Sequence, residues 1–259
     1  MGISLAIRTD LAWPSHLVLV RHGESAGNVA REAAEAEGLD LIDVAQRDMD
    51  VALSDRGREQ AAAVGRWLRD ADEKMRPQHS ISSPYVRAQD TARIALDAAG
   101  CDDLRVRVDE RLREREFGIL DRLTRRGIEA RFPEQAAARS LLGKFYHRPP
   151  GGESWCDVAL RLRSFIDTLG REYAGESVMV ISHQVVILVF RYLLEELTEQ
   201  EILAIDREAE VANCSVTVYE LDDSSGPHGA MRRVLYNCVD HLPAPRLITA
   251  EPDAPVAPR

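Results

Sequence analysis

The 259 residues are 45% hydrophobic and 29% charged, a globular balance rather than a disordered one. Lys plus Arg number 33 against 43 Asp plus Glu, and the resulting net charge of −10 excludes a broad basic surface for nucleic acid. The same sum says nothing against a small anionic ligand, because a local pocket can reverse the sign of the whole surface. Cys101, Cys156, Cys214 and Cys238 are widely spaced with no CxxC pair, so neither a disulfide framework nor a zinc site is expected. No run approaches the roughly 18 apolar residues of a membrane span. Arg8 and Asp10 interrupt the apolar stretch that a secretory leader needs, so the expected location is cytoplasmic.

In chain order, residues 16–20 (HLVLV) are a predicted buried strand that stops abruptly at Arg21-His22-Gly23-Glu24. Residues 31–50 are alanine-rich, with seven acidic residues against two basic, and belong to a predicted helical insertion over 29–52 beside that strand's exit. Ser54 is the expected N-cap of a helix that aligns Ala61, Val64, Trp67 and Leu68. Residues 78–82 are a second strand, and Ser83-Pro84 reads as a cap and first-turn proline for a helix reaching residue 99. Residues 105–108 alternate as an edge strand.

Val158, Leu162, Phe165, Ile166, Leu169 and Tyr173 mark one face of an amphipathic helix. The run 177–182 (SVMVIS) is a third buried strand, followed at once by His183 and a very apolar helix. Two late strands, 216–221 and 231–237, flank the turn-rich DDSSGPHG. Residues 243–259 hold five of the twelve prolines and are expected to form a disordered tail. No internal repeat is present. The alternation predicts a three-layer α/β/α sandwich with a mainly parallel central sheet, built as a single domain over 1–242.

Ligands of parallel sheets collect beyond the carboxyl ends of the strands. Three strand exits here deliver Arg21 and His22, then Arg87, then His183. Two guanidiniums and two imidazoles at one edge suit an anion, and each planar fork can grip two oxygens of a phosphoryl group. Arg87 also falls near a helix N-terminus, which adds partial positive charge. A histidine attacks phosphorus only when neutral, and nearby arginines disfavour the imidazolium. A nucleophilic His22 and a phosphohistidine intermediate follow as a chemical rationale. The pattern alone leaves open which histidine attacks.

LVLVRHGESAGN, with Asn28 six residues after His22, resembles the signature of the histidine phosphatase superfamily, also called phosphoglycerate mutase-like. SSPYVRAQDTA, LREREFG and VMVISHQ are similar to three further elements of that family, in the same order. The resemblance implies that His22 is the phosphorylated nucleophile and that Arg21, Arg87 and His183 complete the phosphate pocket. Asn28 would lie within reach of the phosphoryl group. Glu114, selected from four neighbouring carboxylates by its spacing to Phe117-Gly118, would be the general acid and base. The resemblance implies no metal and no organic cofactor.

Mutases of the family carry a longer segment between the acid and the GES helix, with an arginine pair. Here Glu114 and Glu153 are 39 positions apart, and Arg125-Arg126 follows the FG element too closely to be that pair. The expected activity is therefore hydrolysis of a small phosphomonoester, with a phosphoglycerate mutase and an inactive phospho-ligand-binding module as alternatives. No nucleic-acid or membrane partner is expected. Gln184 after the second histidine, and Lys144, Tyr146 and Arg148 in KFYHRPPGGESW, resemble fructose-2,6-bisphosphatases and are candidates for substrate contact. Ser25 is a further candidate, shared between loop capping and substrate. Glu24 reads as a structural carboxylate of the loop. His16, His79, His147, His228 and His241 have no motif behind them.

Overall fold

The computed structural model describes residues 12–225, 229–243 and 245–250. Six strands, β1 (His16–Arg21), β2 (His79–Ser82), β3 (Val106–Val108), β4 (Ser177–Ser182), β5 (Val216–Asp222) and β6 (Ala230–Cys238), form one sheet. Their spatial order is β3-β2-β4-β1-β5-β6. The first four pair in parallel, while β5 and β6 close one side in antiparallel fashion. Eight α-helices occur among the described residues: α1 (Ala26–Ala36), α2 (Asp55–Asp70), α3 (Val86–Ala99), α4 (Arg125–Arg131), α5 (Pro133–Tyr146), α6 (Trp155–Glu172), α7 (Gln184–Leu194) and α8 (Glu199–Glu208). None of them is long and apolar enough to cross a membrane.

Alternation along the strands builds the layers, because successive side chains leave a strand on opposite faces. Leu17 and Leu19 of β1, with Val178 and Val180 of β4, pack against α6, α7 and Ile202 of α8. Val18, Val20, Met179 and Ile181 face the other way, onto α2 and α3. A sheet covered on both faces reads as continuous apolar runs, which is why residues 17–20 (LVLV) and 178–181 (VMVI) hold no polar position. Helix α6 presents Val158, Leu162, Phe165, Ile166 and Leu169 at helical spacing, all fully buried.

The structure departs from expectation in three places. Helix α3 begins at Val86 with Tyr85 in the cap position, so Ser83 is not its N-cap; the Ser83 hydroxyl meets His183 Nε2 at 2.7 Å instead. The insertion over 29–52 is α-helical only through Ala36, after which Gly38 turns in the left-handed region at φ 65°. Beyond it the chain is held by the segment after Phe117-Gly118: Ile42 N–H donates to Arg122 O (2.9 Å), and Thr124 N–H donates to Asp40 O (3.1 Å). The expected tail also begins as packed chain, since Pro245–Leu247 form a 3-10 turn and Leu247 is buried in the core beside α2. Leu247 supplies an apolar anchor that proline content concealed. Residues 251–259 and His228 lie outside the described residues. Helices α4, α5 and α8 are additional to the expected elements; α5 exposes Leu141 and Leu142, so no clean apolar stripe marks it.

Helix α2 approaches the β1 exit closely through two glycines. A Cβ on Gly57 would lie 2.0 Å from Glu24 O, and one on Gly23 would lie 2.5 Å from Gly57 O. Gly57→Ala is expected to destabilise the fold by about 2 kcal/mol through overpacking, lowering Tm by about 4–8 °C. A thermal melt coincident with wild type would contradict this close packing.

Candidate active site

Adjacent strands lie ~4.8 Å apart, and the register fixes which residues leave them together. Arg21 of β1 pairs with Ser182 of β4, so His22 and His183 emerge side by side. Their rings sit edge to face with centroids 5.0 Å apart, and both are fully buried. Strand β2 flanks β4 on the other side and delivers Ser83, then α3 with Arg87 as its second residue. Arg87 is 1% exposed, and its Nε donates to His22 Nε2 at 3.2 Å.

One contact defines the chemistry of His22. Its Nδ1 lies 2.7 Å from Gly23 O. A carbonyl oxygen only accepts, so Nδ1 carries the proton. Nε2 is then the lone-pair nitrogen, consistent with the bond it accepts from Arg87. Gly23 is itself held on both sides: its N–H donates to Thr91 Oγ1 (3.0 Å), whose hydroxyl donates to Arg87 O (2.7 Å), and the Glu24 N–H in the plane of its carbonyl donates to Gln60 Oε1 (2.8 Å). Thr91 is thus the physical content of the RAQDTA motif. Behind the ring, Asn213 Nδ2 donates to His22 O (3.1 Å), and Arg21 donates through Nη1 to Val211 O. Burial pushes the thiol of neighbouring Cys214 well up, so it stays protonated.

Glu24 is tied into the loop by Ser54 Oγ (2.6 Å) and Arg56 Nη1 (3.0 Å), which donate to its two oxygens. Ser25 caps α1 in a reciprocal box with Asn28. Asn28 lines a cleft together with Arg87, Arg31, Ile42, Gln46 and Asp48. Glu114 is 1% exposed and accepts the Arg115 amide at 2.6 Å. Tyr85 lies against both His183 and the Arg87 guanidinium, with ring separations of 4.9 Å in each case; burial, then the Asp48 charge, push its phenol upward, so it remains protonated.

The histidine phosphatase superfamily profile (branch 1) matches residues 17–232. The chain belongs to this family. Its curated relatives include 2,3-bisphosphoglycerate-dependent phosphoglycerate mutase 2 of Gloeobacter violaceus, 32% identical over 209 residues, or 79% of this chain and 84% of that one. Phosphoglycerate mutase-like protein 4 of Arabidopsis thaliana is 31% identical over 81% of this chain and 80% of its own length. Among solved structures, the mycobacterial glucosyl-3-phosphoglycerate phosphatase with inorganic phosphate is similar at 27% identity and TM-score 0.66, covering 88% of this chain and 99% of that one.

The structure brings Arg21, His22, Arg87 and His183 to one edge, with Asn28 on the adjoining cleft. It gives other partners to the remaining candidates. Lys144 pairs with buried Asp206, Tyr146 with Glu199, Arg148 with Asp157 and Gln184 with Glu210. Each cation or amide meets a nearby carboxylate, so none of these contacts points to substrate. Beside Glu114 the sequence had concealed a different group. Arg115 is buried with Nε on Glu153 O (2.6 Å), and burial followed by Arg139 pulls its pKa down to about 10. His147 is 2% exposed and its Nε2 has no partner among the described residues. Burial, then Arg139 and Arg115, lower its pKa.

Gln60 was also hidden in the α2 pattern. Fully buried, it accepts the Glu24 amide at 2.8 Å and donates to Leu247 O and Thr249 Oγ1, each at 2.8 Å. It thereby ties the His22 loop to residues 247–249. Gln60→Ala leaves two buried backbone groups unsatisfied and is expected to cost about 2–4 kcal/mol, read as a lower midpoint in urea. An unchanged midpoint would contradict the tie.

Proposed function

We propose that the protein is a phosphomonoesterase that passes a phosphoryl group from a small ester to His22 Nε2 and then to water. The observation that carries this reading is the pair of bonds at His22, which leaves Nε2 as a lone pair beside the Arg87 guanidinium. Arg21, Arg87 and His183 hold the phosphoryl oxygens and offset the charge that develops on them. The Nε2 lone pair attacks phosphorus, the ester P–O bond breaks, and Glu114 as the acid gives its proton to the leaving oxygen. Water then attacks the phosphohistidine while Glu114 accepts its proton. The P–N electron pair returns to Nε2, and inorganic phosphate leaves. The net change is one ester and one water to one alcohol and one phosphate.

Access of water favours hydrolysis over mutation. Asp48 bonds to Arg87 directly and yet is 39% exposed, so solvent stands one side chain from the phosphoryl site. A mutase has to shield its phosphohistidine until the intermediate reorients. The solved mycobacterial phosphatase supports the same reading. A second reading, phosphoglycerate mutase, is favoured by the curated relatives.

His22→Ala is expected to lower hydrolysis of p-nitrophenyl phosphate by at least about 1,000-fold, and Glu114→Gln by about 100- to 10,000-fold. Unchanged turnover in the His22 variant would overturn the nucleophile assignment. With 3-phosphoglycerate, release of inorganic phosphate is expected; formation of 2-phosphoglycerate instead would establish the mutase.

A further inference from the structure

The guanidinium of Arg87 is engaged on two sides. Nε donates to His22 Nε2, while Nη1 donates to the Asp48 main-chain carbonyl (2.6 Å) and to Oδ1 (3.0 Å), and Nη2 donates to Oδ2 (3.2 Å). Asp48 thus presents two carboxylate oxygens to the fork in parallel, the arrangement in which a guanidinium grips two phosphoryl oxygens. The contact joins opposite exposures: Arg87 is 2% exposed at its side chain and Asp48 39%. It comes from the 3-10 turn Asp48–Asp50, at the end of the insertion.

The chain on either side of that turn is fixed. Upstream, Arg122 donates through Nη2 to Gln46 O (2.9 Å), and its own backbone lies at φ 59°, in the left-handed region. Downstream, Ala26 N–H donates to Ala52 O (3.0 Å). Between these anchors Arg47 pairs only locally, with Asp50 at 2.8 Å, and is 73% exposed. The turn is therefore a short span between two held ends, with Asp48 as its contact to the pocket.

We propose that Asp48 is a resident competitor for the phosphoryl group: its carboxylate occupies the Arg87 fork that the substrate needs, and the substrate must displace it. The proposal rests on the reading of Arg87 as a phosphoryl ligand. A carboxylate and a phosphoryl dianion repel each other at one fork, so both cannot remain. Displacement carries the turn outward between its two anchors. The insertion then sets the affinity of the site, favouring esters whose phosphoryl charge outcompetes a single carboxylate and easing departure of product phosphate. If Asp48 merely oriented Arg87, its loss would weaken anion binding. Competition requires the reverse.

The test is calorimetric titration of the full chain with inorganic phosphate, alongside KM for p-nitrophenyl phosphate. Asp48→Asn is expected to bind phosphate about tenfold tighter than wild type or more, with KM falling in parallel. Asp121→Asn is the control for general charge, because Asp121 also lines the cleft but its carboxylate accepts the Arg122 amide at 2.9 Å. Its affinity should change less than about threefold, as a partly screened charge held beside Arg122. Unchanged or weaker binding by Asp48→Asn, or an equal gain in Asp121→Asn, would overturn competition while leaving the phosphatase reading intact. If neither wild type nor Asp48→Asn binds phosphate, the assignment of Arg87 as a phosphoryl ligand fails, and the proposal with it.

Discussion

The hydrogen bond from His22 Nδ1 to the Gly23 carbonyl is the constraint on which the rest of the site depends. It selects one tautomer of an imidazole and so decides which nitrogen keeps a lone pair. Much of the surrounding fold serves to hold that carbonyl still. Thr91 of α3 bonds the Gly23 amide, Gly57 of α2 backs the loop without room for a methyl group, and Asn213 fixes the His22 carbonyl. Helices on one face of the sheet thereby stabilise a single proton position at its edge.

Parallel register supplies the second requirement. Because Arg21 and Ser182 are partners across β1 and β4, the residues that follow them arrive as a histidine pair without any loop to position them. The site inherits its precision from the sheet. Other groups lie off the sheet: Asp48 on the turn that ends the insertion, Arg115 and His147 on loops, and Arg139 on α5.

The strands were legible because both faces are covered, so the apolar runs in β1 and β4 had sharp ends at polar residues. Helix α2 is legible from its spacing and its serine cap, and α6 from its spacing alone. Other features were silent for identifiable reasons. Ser83 looks like a cap in sequence, since capping and imidazole contact use the same hydroxyl. Gln60 looks like one polar position in a helix, and only folding brings Leu247 to it across the chain. Asp48 was one of seven acidic residues in a biased stretch, where composition hides a single directed carboxylate. Lys144 and Arg148 were singled out by resemblance, but charge alone does not tell a substrate contact from an internal ion pair. The net charge of −10 follows the same logic: it describes the exterior, while two arginines and two histidines at the sheet edge are buried beneath it.

The central claim is a proton position, and nitrogen-15 NMR of histidine-labelled protein near neutral pH reads it directly. The account predicts that His22 is a neutral imidazole with its proton on Nδ1 and Nε2 resonating as an unprotonated nitrogen, and that His22→Ala removes this pair of signals. A His22 that is an imidazolium, or that carries its proton on Nε2, would contradict it.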